Sequence, residues 1–438
     1  MALLAKLSAW FLACGNGLRW RRPSTNSLEN VIDAAGIRDV RYRLGHGHGS
    51  DAIHRDPIYS YAVTELHDDQ GRTGVGLAFT LGGGNQLVCE AARFYAQRLV
   101  GKPIEEIMAR FGALQREMAD EQQFRWLGPH KGVVQLALAS VTNACWDLWA
   151  KSRSVPLWKL LLDLPPVQII ATLDLSYLED ELTQPQAMLI LEQAQSSRSS
   201  REGVLKAGYP GYDTSVGWFD YEDEQVRENC KRAIANGFSA MKLKVGSREP
   251  ERDLRRARIV REAAGSKARV MVDANQQWTL PQALDICQRL RAIEPFWIEE
   301  PTHPDDLLGH KTLSEAIAPT KLALGEHVPN RVVFKNYLQA RCAGFIQVDA
   351  VRVGGVSEFL AVSLLCRKFG VPVVPHVGDM GQLHQHLVLF NHIALGHEVV
   401  FLEHIPHLRE HFVHPCRVTE GVYHTPQEPG ASCDLKPA

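Results

Sequence analysis

Six short apolar runs recur along the middle of the chain, and each ends in a charged residue or a histidine. The runs read MKLKV, VMVDANQ, WIEEP, LALGEH, IQVDA and VPVVPH. Their terminal residues are Lys244, Asp273, Glu299, Glu326, Asp349 and His376. These residues lie 23 to 29 positions apart, a step that accommodates one strand, one helix and two short loops. The pattern predicts consecutive βα units.

The charged ends of the runs favour one arrangement of these units. Parallel strands that are buried on both faces read as continuous apolar runs, so a charge at the end of each run needs a reason. In a (β/α)8 barrel the carboxyl ends of the strands meet on one face, where the active site lies. The alternative is that each charged residue caps its own strand at a solvated edge. Six such residues in phase favour a shared cavity.

A different pattern precedes these units. Alternating apolar and polar positions predict strands at residues 40–44, 60–67 and 73–80, which would form a small antiparallel sheet. A helical period follows from residue 85 to about residue 164. The first barrel strand is then predicted at residues 212–218. The eighth is predicted at residues 399–404, ending near Glu403.

These patterns divide the chain into four parts. The prediction is an α/β protein, a TIM-type barrel preceded by an α+β domain that would cap it. The parts are an extension at residues 1–35, the capping domain with its connecting helices at 36–205, the barrel at 206–410, and a C-terminal segment at 411–438 that returns to the capping domain.

Composition excludes several classes of partner. The chain of 438 residues is 45% hydrophobic and 22% charged, as in ordinary globular proteins. Its formal net charge is −2 and its one basic patch, residues 19–22, is short, which argues against nucleic acid. The apolar run at residues 3–14 is too short to span a membrane. Nine cysteines without a CxxC pair indicate a reducing compartment.

The first thirty residues differ from the rest. Residues 1–28 contain no Asp or Glu, whereas Lys6, Arg19, Arg21 and Arg22 are basic. Acid-poor leaders that contain Arg and Ser can be organelle transit peptides. The alternative is a disordered extension or an alternative start site. We predict a cytoplasmic protein, with a mitochondrial location as the alternative.

Three carboxylates at adjacent strand ends carry the metal prediction. Asp273, Glu299 and Glu326 would repel one another in a confined site unless a cation held them together. Ligation by oxygen alone suits Mg2+ better than Zn2+, which prefers nitrogen and sulfur. A structural network of salt bridges is the alternative.

Acid–base groups lie on both sides of this trio. Lys242 and Lys244 alternate and so point to the same side of their strand, and His376 has Asp349 on the preceding strand. A buried lysine beside another cation has a lowered pKa, which predicts that Lys244 acts as a base near neutral pH. A magnesium ion between a lysine and a His–Asp pair is suited to removing a proton α to a carboxylate.

The KxK, VDAN, WIEEP, GEH, QVDA and PH elements together resemble the mandelate racemase subgroup of the enolase superfamily. Longer segments, SDAIHRDPIYS, FRWLGPHKGVV, NACWDLWAK, EEPTHPDDLLGH and LREHF, are similar to L-fuconate dehydratase and its sugar-acid relatives. The resemblance runs from about residue 37 to the C-terminus. It implies an enolase-type α/β fold, a modified TIM barrel of the (β/α)7β type with an N-terminal α+β capping domain.

The resemblance also implies roles for individual residues. Asp273, Glu299 and Glu326 would bind Mg2+. Strand alternation predicts that Glu300 points the other way, so it is left out of the metal ligands. Lys244 would abstract the C2 proton, and His376, paired with Asp349, would help the 3-hydroxyl to leave. The residues expected to bind substrate are Lys242, Glu403, Asn275, His54 and Trp126.

Two segments bear on specificity. The loop at residues 45–56 would close over the sugar tail, with His46, His48 and His54 as candidate contacts; an exposed loop without a partner is the alternative. For Trp126, packing in the core is an equal alternative. After His376 the chain reads VGDMGQLHQH, where the resemblance leads us to expect a glycine-rich PHAGG-type segment. Asp379, His384 and His386 in this segment would read a substrate hydroxyl or lie on the surface.

The expected reaction is Mg2+-dependent dehydration of a six-carbon sugar acid, with L-fuconate favoured, to a 2-keto-3-deoxy acid. Alternatives are L-galactonate or another aldonate, a racemase or epimerase of the same superfamily, and a catalytically retired barrel that binds or regulates. The sequence does not decide whether Lys244 or His376 is the base. A homo-oligomer is expected, because barrels of this type often assemble.

Overall fold

Two β-sheets organise the part of the chain that the computed structural model describes, residues 30–380 and 382–437. The predicted targeting or disordered extension lies, up to residue 29, outside the described residues. The smaller sheet is antiparallel and belongs to the N-terminal part of the chain. The larger sheet is mainly parallel and belongs to the C-terminal part. No helix within the described ranges has the length and apolar character needed to cross a membrane.

The smaller sheet has the strand order β1-β2-β3 and is covered by helices. Its strands are β1 (Ile32–Arg43), β2 (Ile58–Asp68) and β3 (Thr73–Leu81). The helices that follow are α1 (Asn85–Gln97), α2 (Ile104–Ala109), α3 (Phe111–Ala119), α4 (Gly132–Ser152), α5 (Leu157–Asp163), α6 (Pro166–Ala171), α7 (Gln184–Gln195), α8 (Arg198–Arg201) and α9 (Val204–Ala207).

Helix α4 lies directly on strand β3, and glycines make this possible. A Cβ added at Gly76 would lie 2.0 Å from the carbonyl oxygen of Ser140, so only glycine allows the helix this close. On the same helix Trp146 is fully buried in the core, where its Nε1–H donates to Ser357 Oγ at 3.1 Å.

Strand β1 is longer than the sequence predicts. It begins at Ile32 rather than Val40, and it pairs with β2 from Ile32 opposite Asp68 to Arg43 opposite Ile58. The predicted boundary between residues 35 and 36 therefore falls inside a strand. The first half was missed because Asp33 and Gly36 are poor strand formers, and the backbone ladder to β2 overrides that local preference.

The larger sheet closes into a barrel, which confirms the predicted fold class. Its strands are β4 (Tyr209–Gly217), β5 (Ala240–Lys244), β6 (Arg269–Asp273), β7 (Trp297–Glu299), β8 (Lys321–Leu324), β9 (Phe345–Ile346) and β10 (Leu402–His404). The seventh position is a single parallel bridge from Ile346 to Val373, where the sequence predicts a full strand. Strand β10 pairs in parallel with β4 and closes the barrel.

Helices follow the barrel strands in the expected alternation. They are α10 (Asp223–Ala235), α11 (Pro250–Ala264), α12 (Leu280–Leu290), α13 (Leu307–Ala316), α14 (Arg331–Gln339), α15 (Val356–Phe369) and α16 (Leu383–Phe390). Large aromatic side chains fill the barrel interior below the strand ends. Tyr212, Trp297 and Phe345 belong to this buried cluster, which supplies a water-free floor for the groups above it.

The C-terminal segment contacts both domains. Its two short strands are β11 (Val418–Thr419) and β12 (Val422–Tyr423), and β12 pairs antiparallel with β4 of the barrel. The chain then reaches the capping domain, where Asp434 forms a salt bridge of 2.8 Å with Lys151. The sequence predicted that this segment returns to the capping domain, but it did not predict the pairing with the barrel. The division into domains stays a prediction.

Hydrogen bonds join the capping domain to two barrel loops, which lie directly after β9 and after His376. The backbone N–H of Phe79 in β3 donates to the carbonyl oxygen of Val351 at 3.0 Å. The side chain of Asn143 in α4 donates to the carbonyl oxygen of Ala350 at 2.9 Å. The hydroxyl of Tyr61 in β2 donates to the carbonyl oxygen of Asp379 at 2.8 Å. The capping domain therefore fixes the loops that hold Asp349 and His376.

Candidate active site

Strand register brings the first three predicted groups into one row. Lys244 pairs with Asp273 across β5 and β6, and Asp273 pairs with Glu299 across β6 and β7. Glu326 follows β8 after Gly325, whose φ of +154° carries the chain over the strand end. Neighbouring parallel strands without a register shift thus place carboxylates side by side at the carboxyl end of the barrel.

The three carboxylates form a compact cluster. One oxygen each from Asp273, Glu299 and Glu326 lies within 4.8 Å of the other two, and all three residues are buried. Burial, and then the neighbouring charge of Asp273, raise the pKa of Glu299 to about 8. A set of buried oxygen ligands whose members repel one another fits a hard divalent cation.

Lys242 lies beneath this cluster. Its Nζ is 2.8 Å from Glu299 Oε1 and 3.0 Å from Glu403 Oε1, and the side chain is 1% exposed. The Nζ also lies 5.6 Å from the centre of the Tyr212 ring. Lys242 does not line the cavity described below, and its ammonium balances the buried carboxylates. The contact between Lys242 and substrate stays a prediction.

Lys244 lies beside the cluster and faces the cavity. Its Nζ is 2.5 Å from Asp273 Oδ2 and 3.2 Å from Asn275 Oδ1. Burial, the largest single effect, acts to lower the pKa of this lysine, and Lys242 acts in the same direction, but the carboxylates of Asp273, Glu326 and Asp51 together raise it. The predicted lowered pKa is therefore wrong for this arrangement of side chains. The prediction considered the second lysine and omitted the ion pair with Asp273.

His376 and Asp349 form the predicted pair on the opposite side. His376 Nδ1 is 2.6 Å from Asp349 Oδ2, and Nε2 is 3.3 Å from Glu326 Oε2. Burial acts against a charged ring, but Glu326 and the Asp349 hydrogen bond raise the pKa of His376 to about 9. A protonated imidazole with Nδ1 bound to Asp349 can donate its Nε2 proton into the cavity.

Glu403 completes the ring of groups from strand β10. Its Oε2 accepts a hydrogen bond of 3.1 Å from the backbone N–H of Val377. Burial would raise the pKa of Glu403, but Lys242 and then His376 lower it to about 2. This carboxylate is therefore ionised and faces the cavity.

A cavity opens above these groups, between the two domains. Both domains contribute to its wall, as expected for a small-molecule site. The capping domain supplies Gly49, Asp51, Ile53, His54, Tyr59, Phe79 and Leu81. The barrel supplies Trp218, Lys244, Asn275, Gln276, Glu326, His327, Arg352, His376, Met380, Glu403 and Ile405.

The predicted contacts in the capping domain have mixed outcomes. His54 lines the cavity, and its Nδ1 is 3.0 Å from Asp51 Oδ2. Trp126 does not line it and is 99% exposed on the 3-10 helix Gln122–Leu127, so the core-packing alternative is also wrong. The match of its neighbours in sequence gave no information on which way this side chain points.

The polar cavity residues Gln276, His327 and Arg352 are among those that were not predicted from the sequence. The prediction that Glu300 points away by strand alternation is also wrong, because β7 ends at Glu299 and Glu300 has a φ of +40°. Its carboxylate contacts His327 Nδ1 at 3.1 Å. The sequence contained part of the missed signal, since Gln276 directly follows Asn275 and His327 directly follows Glu326, while Arg352 comes three positions after Asp349.

The segment after His376 is buried. Asp379, His384 and His386 are all fully buried, so the surface alternative is wrong. None of the three lines the cavity, and a direct contact with a substrate hydroxyl is not present either.

Comparison with known proteins agrees with this architecture. Residues 225–438 match the family described as enolase C-terminal domain-like. Residues 52–161 match the mandelate racemase / muconate lactonizing enzyme N-terminal domain. The chain belongs to the enolase superfamily.

Individual relatives cover nearly the whole chain. Human mitochondrial enolase superfamily member 1 is 41% identical over 416 residues, which is 92% of this chain and 94% of that protein. Its crystal structure has a TM-score of 0.89 at 40% identity and covers 93% of this chain and 94% of that one. L-galactonate dehydratase of Hypocrea jecorina is 39% identical over 418 residues, 93% of each chain.

A more distant structure shares the fold. L-talarate/galactarate dehydratase from Salmonella typhimurium LT2, liganded with Mg and L-lyxarohydroxamate, has a TM-score of 0.75 at 24% identity. It covers 96% of this chain and 95% of that chain.

Proposed function

We propose that this protein dehydrates a six-carbon sugar acid to a 2-keto-3-deoxy acid with the help of Mg2+. The observation that carries the proposal is the opposed placement of two proton-transfer groups. Lys244 lies on one side of the three carboxylates, at Asp273, and the His376–Asp349 pair lies on the other, at Glu326. The relative named L-galactonate dehydratase supports the same class of reaction.

Asp273, Glu299 and Glu326 would hold the metal. Their buried, mutually repelling oxygens are the donor set that Mg2+ prefers. When bound, the ion supplies positive charge that stabilises the negative charge developing on the substrate carboxylate. With Asp273 engaged as a ligand, Lys244 would lose its strongest acidic neighbour and could hold a neutral amine.

The residues of the chain divide the proton transfers between them. Lys244 Nζ accepts the proton from C2, which breaks the C2–H bond and leaves its electron pair on the substrate. His376 Nε2 donates its proton to the 3-hydroxyl, so the C3–O bond breaks and water leaves. A C2–C3 double bond forms, and the resulting enol tautomerises to the 2-keto acid. Asp349 keeps the ring of His376 oriented throughout.

L-fuconate is the proposed substrate, with L-galactonate as the alternative. These acids share their stereochemistry and differ only at C6, which is a methyl group in L-fuconate and a hydroxymethyl group in L-galactonate. Ile53, Phe79 and Leu81 add apolar surface to the cavity, which suits the methyl group. An apolar pocket rejects an added hydroxyl only weakly, so both acids are expected to react. The ratio of their kcat/KM values decides between them.

The proposed compartment is the cytoplasm, and the name of the human relative favours the mitochondrial alternative. Cell fractionation of the full chain and of a chain lacking residues 2–29 distinguishes the two compartments.

We also propose that the protein is a homo-oligomer. A monomeric mass measured in solution would contradict this. Sugar acids would be its small-molecule partners.

The reaction is tested by incubating a library of sugar acids with purified protein and Mg2+, and by detecting 2-keto acids with semicarbazide. We expect turnover that EDTA abolishes and that Lys244→Ala loses. Lys321→Ala is the matched control, because this exposed lysine begins β8 at the opposite end of the barrel. Turnover of no acid would reject dehydration. Full activity of Lys244→Ala would reject the lysine base.

A further inference from the structure

Behind the His376–Asp349 pair lies a second His–Asp pair. Asp349 Oδ1 is 3.1 Å from Nε2 of His384, and Nδ1 of His384 forms a short contact with Asp379 Oδ1. Together with the 2.6 Å contact between Asp349 and His376, these side chains form a continuous series of four groups. The series runs from the cavity wall into the interior of the protein.

The inner part of this series is sealed from solvent. Asp349, Asp379 and His384 all have 0% exposure, so water does not replace any of these contacts. Two carboxylates flank His384, and although burial opposes its charge, Asp349 and then Asp379 raise its pKa to about 10. The backbone N–H of Ala350 lies 2.9 Å from Nε2, which would suit a neutral ring. The interaction of the ring with one backbone N–H dipole is weaker than its interaction with the two adjacent carboxylates, so the protonated ring is favoured.

His384 therefore determines how Asp349 is held. Oδ1 of Asp349 contacts His384 and the N–H of Val351 at 2.8 Å. Its Oδ2 is left to accept from His376 and from the N–H of Gly378 at 3.1 Å. Without His384, the buried carboxylate would lose its only charged partner on the Oδ1 side among the described contacts.

Asp379 in turn holds His384. Its Oδ2 accepts a hydrogen bond of 3.1 Å from the backbone N–H of Leu383, the first residue of α16. Its carbonyl oxygen accepts from Tyr61 of the capping domain. Asp379 is thus attached both to the start of the helix that carries His384 and to the cap. Both residues belong to the segment VGDMGQLHQH, which departs from the PHAGG-type pattern.

We propose that His384 and Asp379 are positioning residues for the acid step: they hold Asp349 so that His376 presents its Nε2 proton to the departing 3-hydroxyl. This inference rests on the proposed function, because it assigns the acid role to His376. It assigns to the segment VGDMGQLHQH, after His376, a role that requires no contact with substrate.

The same helix supplies a matched control. His386 lies two residues further along α16 and is equally buried. Its Nδ1 accepts from the backbone N–H of Trp158 at 3.1 Å, and burial lowers its pKa to about 3. His386→Gln therefore makes the same chemical change at a buried helical position without touching the series of four groups.

The test compares His384→Gln and Asp379→Asn with His386→Gln in the Mg2+-loaded protein. Dehydration is measured as 2-keto acid, and exchange of the C2 hydrogen is measured by NMR in D2O. We expect kcat for dehydration to fall about 10- to 100-fold in the first two variants, with KM within about threefold. The ratio of C2 exchange to dehydration should rise, because Lys244 still removes the proton while departure of the hydroxyl is impaired.

Several outcomes overturn the inference. A folded His384→Gln protein with wild-type kcat, or with exchange and dehydration reduced equally, would contradict it. An equal rise of the ratio in His386→Gln would assign the effect to packing of α16. If the wild-type protein dehydrates no sugar acid, the proposed function fails. The 15N signals of the His376 ring then decide: a shift in His384→Gln but not in His386→Gln supports the positioning role, and no shift rejects it.

Discussion

At the scale of single residues, neighbours decide the charge of each site carboxylate. Glu299 and Glu403 are both fully buried, and Lys242 contacts both. Burial and the adjacent Asp273 raise the pKa of Glu299 to about 8, whereas Lys242 and His376 lower that of Glu403 to about 2. Glu299 and Glu403 therefore differ in protonation near neutral pH. Glu299 holds a proton that a bound metal ion must displace, whereas Glu403 is ionised.

This difference predicts how Mg2+ binding depends on pH. Below about pH 8 the ion has to displace the proton of Glu299, so its apparent affinity should rise about tenfold per pH unit and level off near pH 8. Isothermal titration calorimetry at pH 6, 7 and 8 measures this slope. An affinity that does not change over this range would contradict the raised pKa.

Without metal the same group acts on stability with a defined sign. The folded protein holds the Glu299 proton up to about pH 8, while the unfolded chain releases it near pH 4.5. The contribution of Glu299 to the free energy of unfolding is therefore present below pH 4.5 and is lost as the pH rises towards 8. Bound Mg2+ removes this loss.

The identity of most site residues could be predicted, but their environment could not. The regular spacing of strand ends identifies Asp273, Glu299 and Glu326, and the structure brings them together. The direction of Trp126 and the pKa of Lys244 depend on contacts between residues far apart in sequence. A pattern along the chain does not contain that information.

At the scale of elements, the loop between β1 and β2 forms part of the cavity wall. Asp51 Oδ1 accepts hydrogen bonds from the backbone N–H groups of Ile53 at 2.7 Å and His54 at 2.6 Å. The turn so formed directs His54 towards the cavity. The loop therefore contributes to the cavity wall, whereas the proposed proton-transfer groups belong to the barrel.

We predict that His54→Ala raises KM about tenfold and changes kcat by less than about threefold, because the side chain binds without taking part in bond breaking. Steady-state kinetics with the best sugar acid measures both constants. His46→Ala is the control, since His46 is exposed in the same loop and does not line the cavity. A large fall in kcat with unchanged KM would exclude a binding role for His54.

Elements differ in how visible they are in the sequence. The barrel strands were predictable because each is buried on both faces and recurs with a regular spacing. The edge strand β1 was only half visible, because its side chains are largely exposed and its stability comes from pairing with β2. The seventh barrel position is reduced to one bridge, although its residues read as a full apolar run.

At the scale of the whole molecule, a buried ionic network joins the connecting segment to the barrel. Arg331 in α14 forms salt bridges of 2.5 Å with Asp174 and 3.1 Å with Glu358. All three side chains are at most 5% exposed. The guanidinium thus neutralises two carboxylates that otherwise have little access to water.

We predict that Arg331→Met lowers the free energy of unfolding by about 3–5 kcal/mol, because it leaves two buried carboxylates without their cation. Urea denaturation followed by circular dichroism measures the change. Lys159→Met is the control, since its pair with Asp163 is about half exposed and should contribute less than about 1 kcal/mol. Equal effects of the two substitutions would contradict this account.

The closure of the barrel by β10 and β4 has a consequence for biosynthesis. Leu402 in β10 pairs with Gly211 in β4, so this pairing partner of the first barrel strand is synthesised 191 residues after it. At about 5–20 residues per second this delay is about 10–40 s. During that time β4 presents an open edge to the cytosol, a hazard for aggregation that a nascent-chain chaperone would relieve. The enzyme acquires its catalytic pocket only when synthesis is almost complete.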